Sequence, residues 1–165
     1  MRGSGHGASP RAKATIAAAT ERARDLHAQY ATALFRQAIL TLADAALAEQ
    51  VVCEVIVEEC IRRPHARPEA ETARHQLAVS AYRRCQEVPA VTARSHRAPP
   101  APRALPVLPG TPALSRAERG ALALVLFGGL GYVGAARAAG ISAPSMAGLL
   151  RKVLLGRAEP ADARA

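Results

Sequence analysis

Apolar residues recur at the spacing of an α-helix over three segments of the N-terminal half, and this pattern predicts three amphipathic helices. The first helix is predicted over about 14–43, the second over about 46–63 with Asp44 as its N-cap, and the third over about 68–88. Pro64 ends the second helix because a proline disfavours helical backbone in the residue before it. The predicted buried stripes are Leu26, Tyr30, Leu34, Ala38 and Leu42; Leu47, Val51, Val52, Val55 and Ile56; and Leu77, Ala78, Ala81, Tyr82, Cys85 and Val88.

The C-terminal part of the chain shows a second group of three helical patterns. Ser115 and Glu118 have the spacing of a capping box, which begins a helix by pairing two of its free backbone amides. The glycine pair 128–129 is expected to end that helix, and a shorter helix follows over about 132–139. A third helix then runs to Gly156. The predicted apolar positions are Leu122, Val125 and Leu126 in the first helix, and Met146, Leu149, Leu150, Val153 and Leu154 in the third.

The last two helices meet at a turn that begins at Gly140 and ends at Ser142, a residue suited to cap the following helix. A short helix, a turn containing glycine and a second helix form the pattern of a helix-turn-helix, whose second helix enters the major groove of DNA. A small helical bundle without a nucleic-acid role has the same local pattern. The pattern alone leaves both interpretations open.

The two groups of helices are separated by 89–113, which contains seven of the twelve prolines and no acidic residue. Such a composition stays extended and cannot build a core. We therefore expect an all-α protein with two small helical domains, 14–88 and 114–157, joined by a Pro-rich linker, the second domain being a helix-turn-helix. The segments 1–13 and 158–165 are predicted to be disordered tails. The sequence does not decide whether the two domains pack against each other.

The chain is strongly basic, with a formal net charge of +9 and a pI of about 10.7. The charge is uneven, because residues 1–87 carry a net +2 and residues 88–165 a net +7. A basic protein favours a polyanionic partner, which we expect to contact the C-terminal half. No apolar run has the length of a membrane span, and the N-terminus lacks the apolar core of a signal peptide. We therefore expect a cytoplasmic protein with no membrane partner.

The sequence offers no recognisable catalytic or metal-binding motif. Cys53, Cys60 and Cys85 show no CxxC spacing, and the histidines are scattered along the chain. Neither a glycine-rich phosphate loop nor a nucleophile in a strand-to-helix elbow is present. We expect a protein that is not an enzyme, with no catalytic residue, no metal site and no cofactor.

Acidic residues are concentrated in the predicted second helix, which has no basic residue before position 62. Such a charge run is either a solvated face or a docking surface for a basic partner, and the pattern alone leaves both open. The acidic residues are Asp44, Glu49, Glu54, Glu58 and Glu59.

With both halves described, residues 20–157 resemble a small sigma factor of the sigma-70 family, of the extracytoplasmic-function type. The segment LADAALAEQVVCEVIVEECIRRP is similar to the stretch with which the family binds core RNA polymerase, a pattern of the type D-x-x-x-A-E-D-V-V-Q-E-V-F. Gln50, Cys53 and Ile56 replace the usual Asp, Gln and aromatic residue. The resemblance implies that this helix docks on the clamp helices of the largest polymerase subunit. The polymerase-binding residues that it implies are Asp44, Glu49, Gln50, Cys53 and Glu54.

In the C-terminal half, LSRAERGALALVLFGGLGYVGAARAAGIS resembles the family's reader of the promoter −35 element. Family members carry a basic recognition helix of the type G-T-V-K-S-R-L, and here Ala147 and Leu149 stand where the Lys and Arg would be. The third helix matches the promoter-melting region only loosely, and Tyr82 is its sole aromatic residue, whereas base capture generally uses stacking on aromatic rings. The DNA-binding residues that the resemblance implies are Arg83 and Arg84 at the upstream edge of the −10 region, and Ser145, Arg151 and Lys152 at the −35 duplex.

The resemblance implies a sigma factor or sigma-like subunit whose partners are RNA polymerase core and promoter DNA, and it allows for an inhibitory anti-sigma factor. Two other functions stay open. The missing basic residues of the recognition helix are consistent with a degenerate sigma-like regulator that binds polymerase or a partner protein without reading DNA. The helical patterns alone are also consistent with an autonomous helix-turn-helix repressor that dimerises through its N-terminal helices.

Overall fold

The computed structural model describes residues 10–63, 69–89 and 114–155, in which all regular secondary structure is helical. The predicted all-α class is confirmed. The tail 158–165, most of the tail 1–13 and most of the linker 89–113 fall outside the described residues, although α1 already begins inside the first tail. The helices are α1 (Pro10–Leu42), α2 (Ala45–Arg62), α3 (Ala70–Glu87), α4 (Arg116–Leu126), α5 (Tyr132–Ala139) and α6 (Ala143–Leu155).

The helix starts follow the predicted capping residues. The carboxylate of Asp44 accepts a hydrogen bond from the backbone amide of Leu47 at 3.0 Å, which begins α2. At the start of α4, Ser115 Oγ accepts from the amide of Glu118, and the Glu118 carboxylate accepts from the amide of Ser115 at 2.7 Å. These two bonds form the predicted capping box. Each cap satisfies amides that the helix itself leaves without a partner.

The first three helices share one apolar core, to which the predicted stripes of α1 and α2 and most of the predicted stripe of α3 contribute. α1 has 33 residues and is about 50 Å long, whereas α2 and α3 have 18 residues each and are about 27 Å long. The first buried side chain of α1 is that of Leu26. The N-terminal part of α1 therefore extends past the helices that cover the rest of it.

A second core forms where α4, α5 and α6 meet, around Leu124 and Met146. Two predicted core residues lie outside it, because Leu126 is 54% exposed and Leu154 is 65% exposed. At about 100° per residue, each of them lies at the edge of its apolar stripe rather than at its centre. Each also belongs to the last two residues of its helix, where the partner helices no longer cover it.

The two groups of helices pack against each other through α4, which contacts both α1 and α3. Ala78 and Tyr82 of α3 belong to the second core rather than to the first. The guanidinium group of Arg119 on α4 donates hydrogen bonds to the carbonyls of Leu40 and Thr41 near the end of α1, both at 3.0 Å. The sequence left this packing undecided, and the structure shows the two groups in contact.

Candidate functional site

α2 exposes one face on which a line of mostly apolar residues is bordered by carboxylates. Cys53, Val57 and Ile61 follow each other at intervals of four, so they lie along one side of the helix. Val57 is 52% exposed and Ile61 is 75% exposed. We call this face the α2 seam, which consists of Ala46, Gln50, Cys53, Val57 and Ile61 along its centre, Glu49 on one border, and Glu54 and Glu58 on the other.

The centre of the α2 seam begins with steps of four, three and four residues, which is the spacing of the contact positions in a coiled coil. Charged residues that border such positions select the partner helix by its charge. Glu49 and Glu54 border the line on opposite sides, so a matching helix would carry Arg or Lys at its own borders. The seam thus combines the residue spacing of a helix-packing surface with carboxylates on both borders.

The structure brings together two residues that the sequence assigned to different partners. Arg84 of α3 donates a hydrogen bond from Nε to the Glu54 carboxylate at 2.8 Å and another to Glu87 at 3.1 Å. Gln50 donates to the other Glu54 oxygen at 2.8 Å. The four side chains border a groove of about 260 Å³ between α2 and α3, with Val51 among its apolar lining residues. One polar network thus joins the predicted polymerase surface to a predicted DNA contact.

This network shifts the pKa values of Glu54 and Arg84. The hydrogen bond from Gln50 and the charge and hydrogen bond of Arg84 lower the pKa of Glu54, although partial burial acts in the opposite direction. Hydrogen bonds to Glu87 and Glu54 raise the pKa of Arg84. Both groups are therefore charged at neutral pH. A cation from a partner could bind the Glu54 carboxylate only while Arg84 also binds it.

Asp44 differs from the other predicted polymerase-binding residues. It is only 8% exposed, and its carboxylate caps α2. Glu49, Gln50 and Cys53 are exposed, and Glu54 is half-buried. The side chain of Asp44 therefore has a structural role in the isolated protein, whereas the other four lie on the α2 seam.

The predicted DNA contacts of α3 lie at its exposed C-terminal end. Arg83 is exposed, and within the described residues no hydrogen bond or ion pair holds its side chain. Tyr82, the sole aromatic residue of this helix, is buried at 8% exposure beside Gly120 of α4. Its ring is therefore not available for stacking on a base while α4 is in place.

The corner between α5 and α6 has the backbone expected of a tight turn. Gly140 has φ 69° and ψ 26°, a left-handed conformation that a side chain would disfavour, and it closes α5. The amide of Ser145 donates to Ser142 Oγ at 3.2 Å, and the two hydroxyl groups lie 2.7 Å apart. Ser142 thus caps α6, and the hydroxyl of Ser145, a predicted DNA contact, is already hydrogen-bonded to it.

α6 presents small residues and two cations to solvent. Arg151 and Lys152 are exposed, as a role in DNA binding requires. Between them and the start of the helix, Ala147 and Gly148 are also exposed, and a Cβ at Gly148 would have no neighbouring atom within 4 Å. The exposed surface of α6 therefore offers phosphate-binding groups near its C-terminal end and no long polar side chain in its middle.

Sequence reasoning missed two groups of residues. Val57 and Ile61 continue the α2 seam, and their spacing from Cys53 is the sequence signal that identifies them. The tertiary roles of Arg116 and Arg119, by contrast, leave no signal in the sequence pattern, because their partners are backbone carbonyls of helices distant along the chain.

The described residues bring together no group of three or more His, Cys, Asp or Glu side chains that would hold a metal ion. Among the helices in the described ranges, none is both long and apolar enough to pass through a lipid bilayer. Cys53, Cys60 and Cys85 are all free thiols.

Comparison with known proteins adds no assignment: no family model, no curated protein and no solved structure matches this chain.

Proposed function

We propose that this protein is a sigma factor, or a sigma-like subunit, that binds core RNA polymerase and directs promoter-specific initiation of transcription in the cytoplasm. The observation that carries the proposal is the α2 seam, on which Glu49, Gln50 and Cys53 are exposed and Glu54 lies half-buried beside them. The same residues lie in the segment that resembles the polymerase-binding stretch of the sigma-70 family. A two-domain organisation, with α5 and α6 acting as a helix-turn-helix, belongs to the same proposal.

The polymerase contact is expected to combine apolar and ionic interactions. Val57 and Ile61 supply exposed apolar surface at one end of the seam, and Glu49 supplies a charge near the other end. Burial of apolar side chains provides most of the binding free energy of such a contact, while complementary charge sets the orientation and the association rate. The partner that fits is a helix with an apolar line bordered by Arg or Lys.

Reversal of one charge on the seam tests this contact. Glu49 is the residue of choice, since Glu54 is already paired with Arg84 and its substitution would also disturb α3. We expect Glu49→Arg to weaken binding to core polymerase by about tenfold, measured by titration of labelled protein. Asp25→Arg on α1 makes the same charge change away from the seam and is expected to bind like wild type. Equal affinities of the two variants would refute the docking assignment.

Initiation itself has a separate test. With core polymerase, the protein should give promoter-specific run-off transcripts from fragments of its own genome.

Arg151 and Lys152 are expected to bind DNA phosphates. The double variant with Arg151→Gln and Lys152→Gln should therefore reduce the slope of log DNA affinity against log salt concentration by about 2. An inhibitory anti-sigma factor is a further partner that the proposal predicts.

A second candidate function is a degenerate sigma-like regulator that occupies polymerase or a partner protein without reading DNA. The exposed surface of α6 favours it, because Ala147 and Gly148 have no polar group that could reach a base edge. Stable binding to core polymerase without a promoter-specific transcript, and with no shift of any DNA fragment at moderate salt, would support this function over the first.

A further inference from the structure

The apolar stripe of α1 continues past the point where other helices cover it. Ile16, Ala19 and Ala23 precede the buried Leu26 in steps of three and four, so they lie on the core-facing side of the helix. Ala23 still packs against the core, Ala19 is partly exposed, and Ile16 is 63% exposed. We call residues 10–25 the α1 extension, and the described helices of the same copy leave Ile16 on this extension uncovered.

The α1 extension projects from one end of the bundle that α1, α2 and α3 form. Only Ala43 and Asp44 connect α1 to α2, so the two helices lie antiparallel, and the 18 residues of α2 reach back along α1 to about residue 25. The hydroxyl of Tyr30 donates to the carbonyl of Ala70 at 3.1 Å, which places the start of α3 at the same end. The extension is therefore a free helical segment about 24 Å long.

The α2 seam matches the extension in length and lies on an accessible side of α2. It spans residues 46–61, which is also about 24 Å, and it faces away from Val52 and Val55 on the buried side of the helix. The extension of the same copy cannot reach this seam, because it continues α1, which packs on the buried side of α2. The extension can therefore cover a seam only in another copy of the chain.

Two copies related by a two-fold axis bring each extension onto a seam. With the two α1 helices antiparallel and side by side, each α2 lies between its own α1 and the α1 extension of the other copy. The apolar stripe of the extension faces the same way as the core side of α1, so it meets the other copy's seam, where Val57 and Ile61 are exposed. Such a contact is isologous, since each copy contributes one extension and one seam.

The charges of the two surfaces are opposite. Residues 1–20 contain three Arg or Lys and no acidic residue, and beside the stripe the Nε of Arg22 is buried without a hydrogen-bond partner among the described residues. Glu49 on the seam is exposed, and the ion pairs within the described ranges do not include it. A contact of seam with seam would bring carboxylates together, and a contact of extension with extension would bring cations together. The charges therefore favour an extension on a seam.

The size of the contact predicts a weak dimer. A helix face about 24 Å long and about 12 Å wide offers about 300 Å². The two-fold arrangement covers four such faces, about 1,200 Å² in total, which is the lower limit for stable specific interfaces. Val57 and Ile61 are the large apolar residues at the centre of the seam, and the other central residues are small or polar. We expect a dissociation constant of about 10 μM.

We propose that this protein forms a two-fold symmetric dimer in which the α1 extension of each copy packs on the α2 seam of the other. The dimer does not rest on the proposed function, because it needs only the residues of this chain. It covers the face that the proposed function assigns to core polymerase, so a second copy and the polymerase exclude each other there.

Sedimentation equilibrium of the full-length protein without polymerase tests the dimer. We expect wild type to dimerise reversibly, and Ile16→Asp to raise the dissociation constant at least about tenfold, because the contact would bury a charge on the stripe. Ala14→Asp is the matched control, since it adds the same charge at an exposed position on the opposite side of the extension. The dissociation constant of this control should stay within about twofold of wild type.

The exchange of extensions also predicts complementation between two variants. Val57→Asp on the seam should raise the dissociation constant at least about tenfold by itself. In a mixed dimer of Ile16→Asp and Val57→Asp, one contact joins an unchanged extension to an unchanged seam, and the other contact carries both changes. An equimolar mixture should therefore contain at least about twice as much dimer as either variant alone at the same total concentration.

Three results would each overturn the dimer. They are a wild type that stays monomeric at about 100 μM, an Ile16→Asp variant that dimerises like Ala14→Asp, and a mixture that is no more dimeric than its separate components. If circular dichroism shows that Ile16→Asp has lost helix, Val57→Asp decides the test, and an unchanged dissociation constant of that variant would refute the contact. Failure of wild type to bind core polymerase would refute the proposed function and leave these measurements unaffected.

Discussion

Asp44 is a predicted polymerase-binding residue, and its carboxylate caps α2 in the structure. Substitutions at this residue can distinguish the two roles. We expect Asp44→Ala to reduce the free energy of unfolding by about 1.5 kcal/mol, near the upper part of the range for loss of an N-cap. The value is high because the carboxylate is nearly buried, bonds the amide of Leu47 at 3.0 Å and lies at the positive end of the α2 dipole. Asp44→Asn keeps a side-chain oxygen that can accept the same hydrogen bond, so it should remain close to wild type.

Urea denaturation followed by circular dichroism measures the difference. With a slope of about 1.5–2 kcal/mol per molar urea, the midpoint of Asp44→Ala should fall by about 0.8–1 M. Asp44→Asn should also bind core polymerase like wild type if the carboxylate serves only as a cap. A variant that keeps its unfolding midpoint but loses polymerase affinity would show that the partner needs this charge, and would refute the structural assignment.

Three further predictions follow from single positions. Ala43 has φ 57°, so Ala43→Gly should raise the free energy of unfolding by about 0.5–1 kcal/mol in urea denaturation. Gly148→Ala in α6 meets open space and should stabilise by up to about 1 kcal/mol, whereas Gly120→Ala should lower stability in the same assay. In a thiol titration at pH 8, Cys53 should react at once, while Cys85, buried and with its pKa raised to about 11, should react only on unfolding. Rapid reaction of Cys85 in the folded protein would contradict its placement in the core.

The helices and their caps could be predicted from the sequence because the interactions that define them are local. The capping box at Ser115 and Glu118 joins residues three apart, and the left-handed turn at Gly140 depends on one residue's missing side chain. The α2 seam was predicted in part for the same reason, since helical spacing places Gln50 and Glu54 on one side.

The packing of the two helix groups could not be predicted, because it depends on residues that are distant along the chain. Arg119 binds carbonyls of Leu40 and Thr41, and an arginine in a helix has no sequence feature that identifies such partners. Helical periodicity placed Leu154 in the core, but only the position of the neighbouring helices decides where coverage ends. The pairing of Glu54 with Arg84 depends in the same way on how α2 and α3 pack.

The unequal lengths of α1 and its neighbours imply a gradient of local stability along one continuous helix. An uncovered helix of a few turns is marginal in water, because nucleation is costly and each added residue contributes little. Amide hydrogens before Leu26 should therefore exchange through local fraying, while those between Leu34 and Leu42 should exchange only when the core opens. A partner that binds the N-terminal turns of α1 would slow hydrogen exchange at the backbone amides of these turns without changing the helical structure. Hydrogen exchange along α1 can thus reveal a ligand of this protein before the identity of that ligand is known.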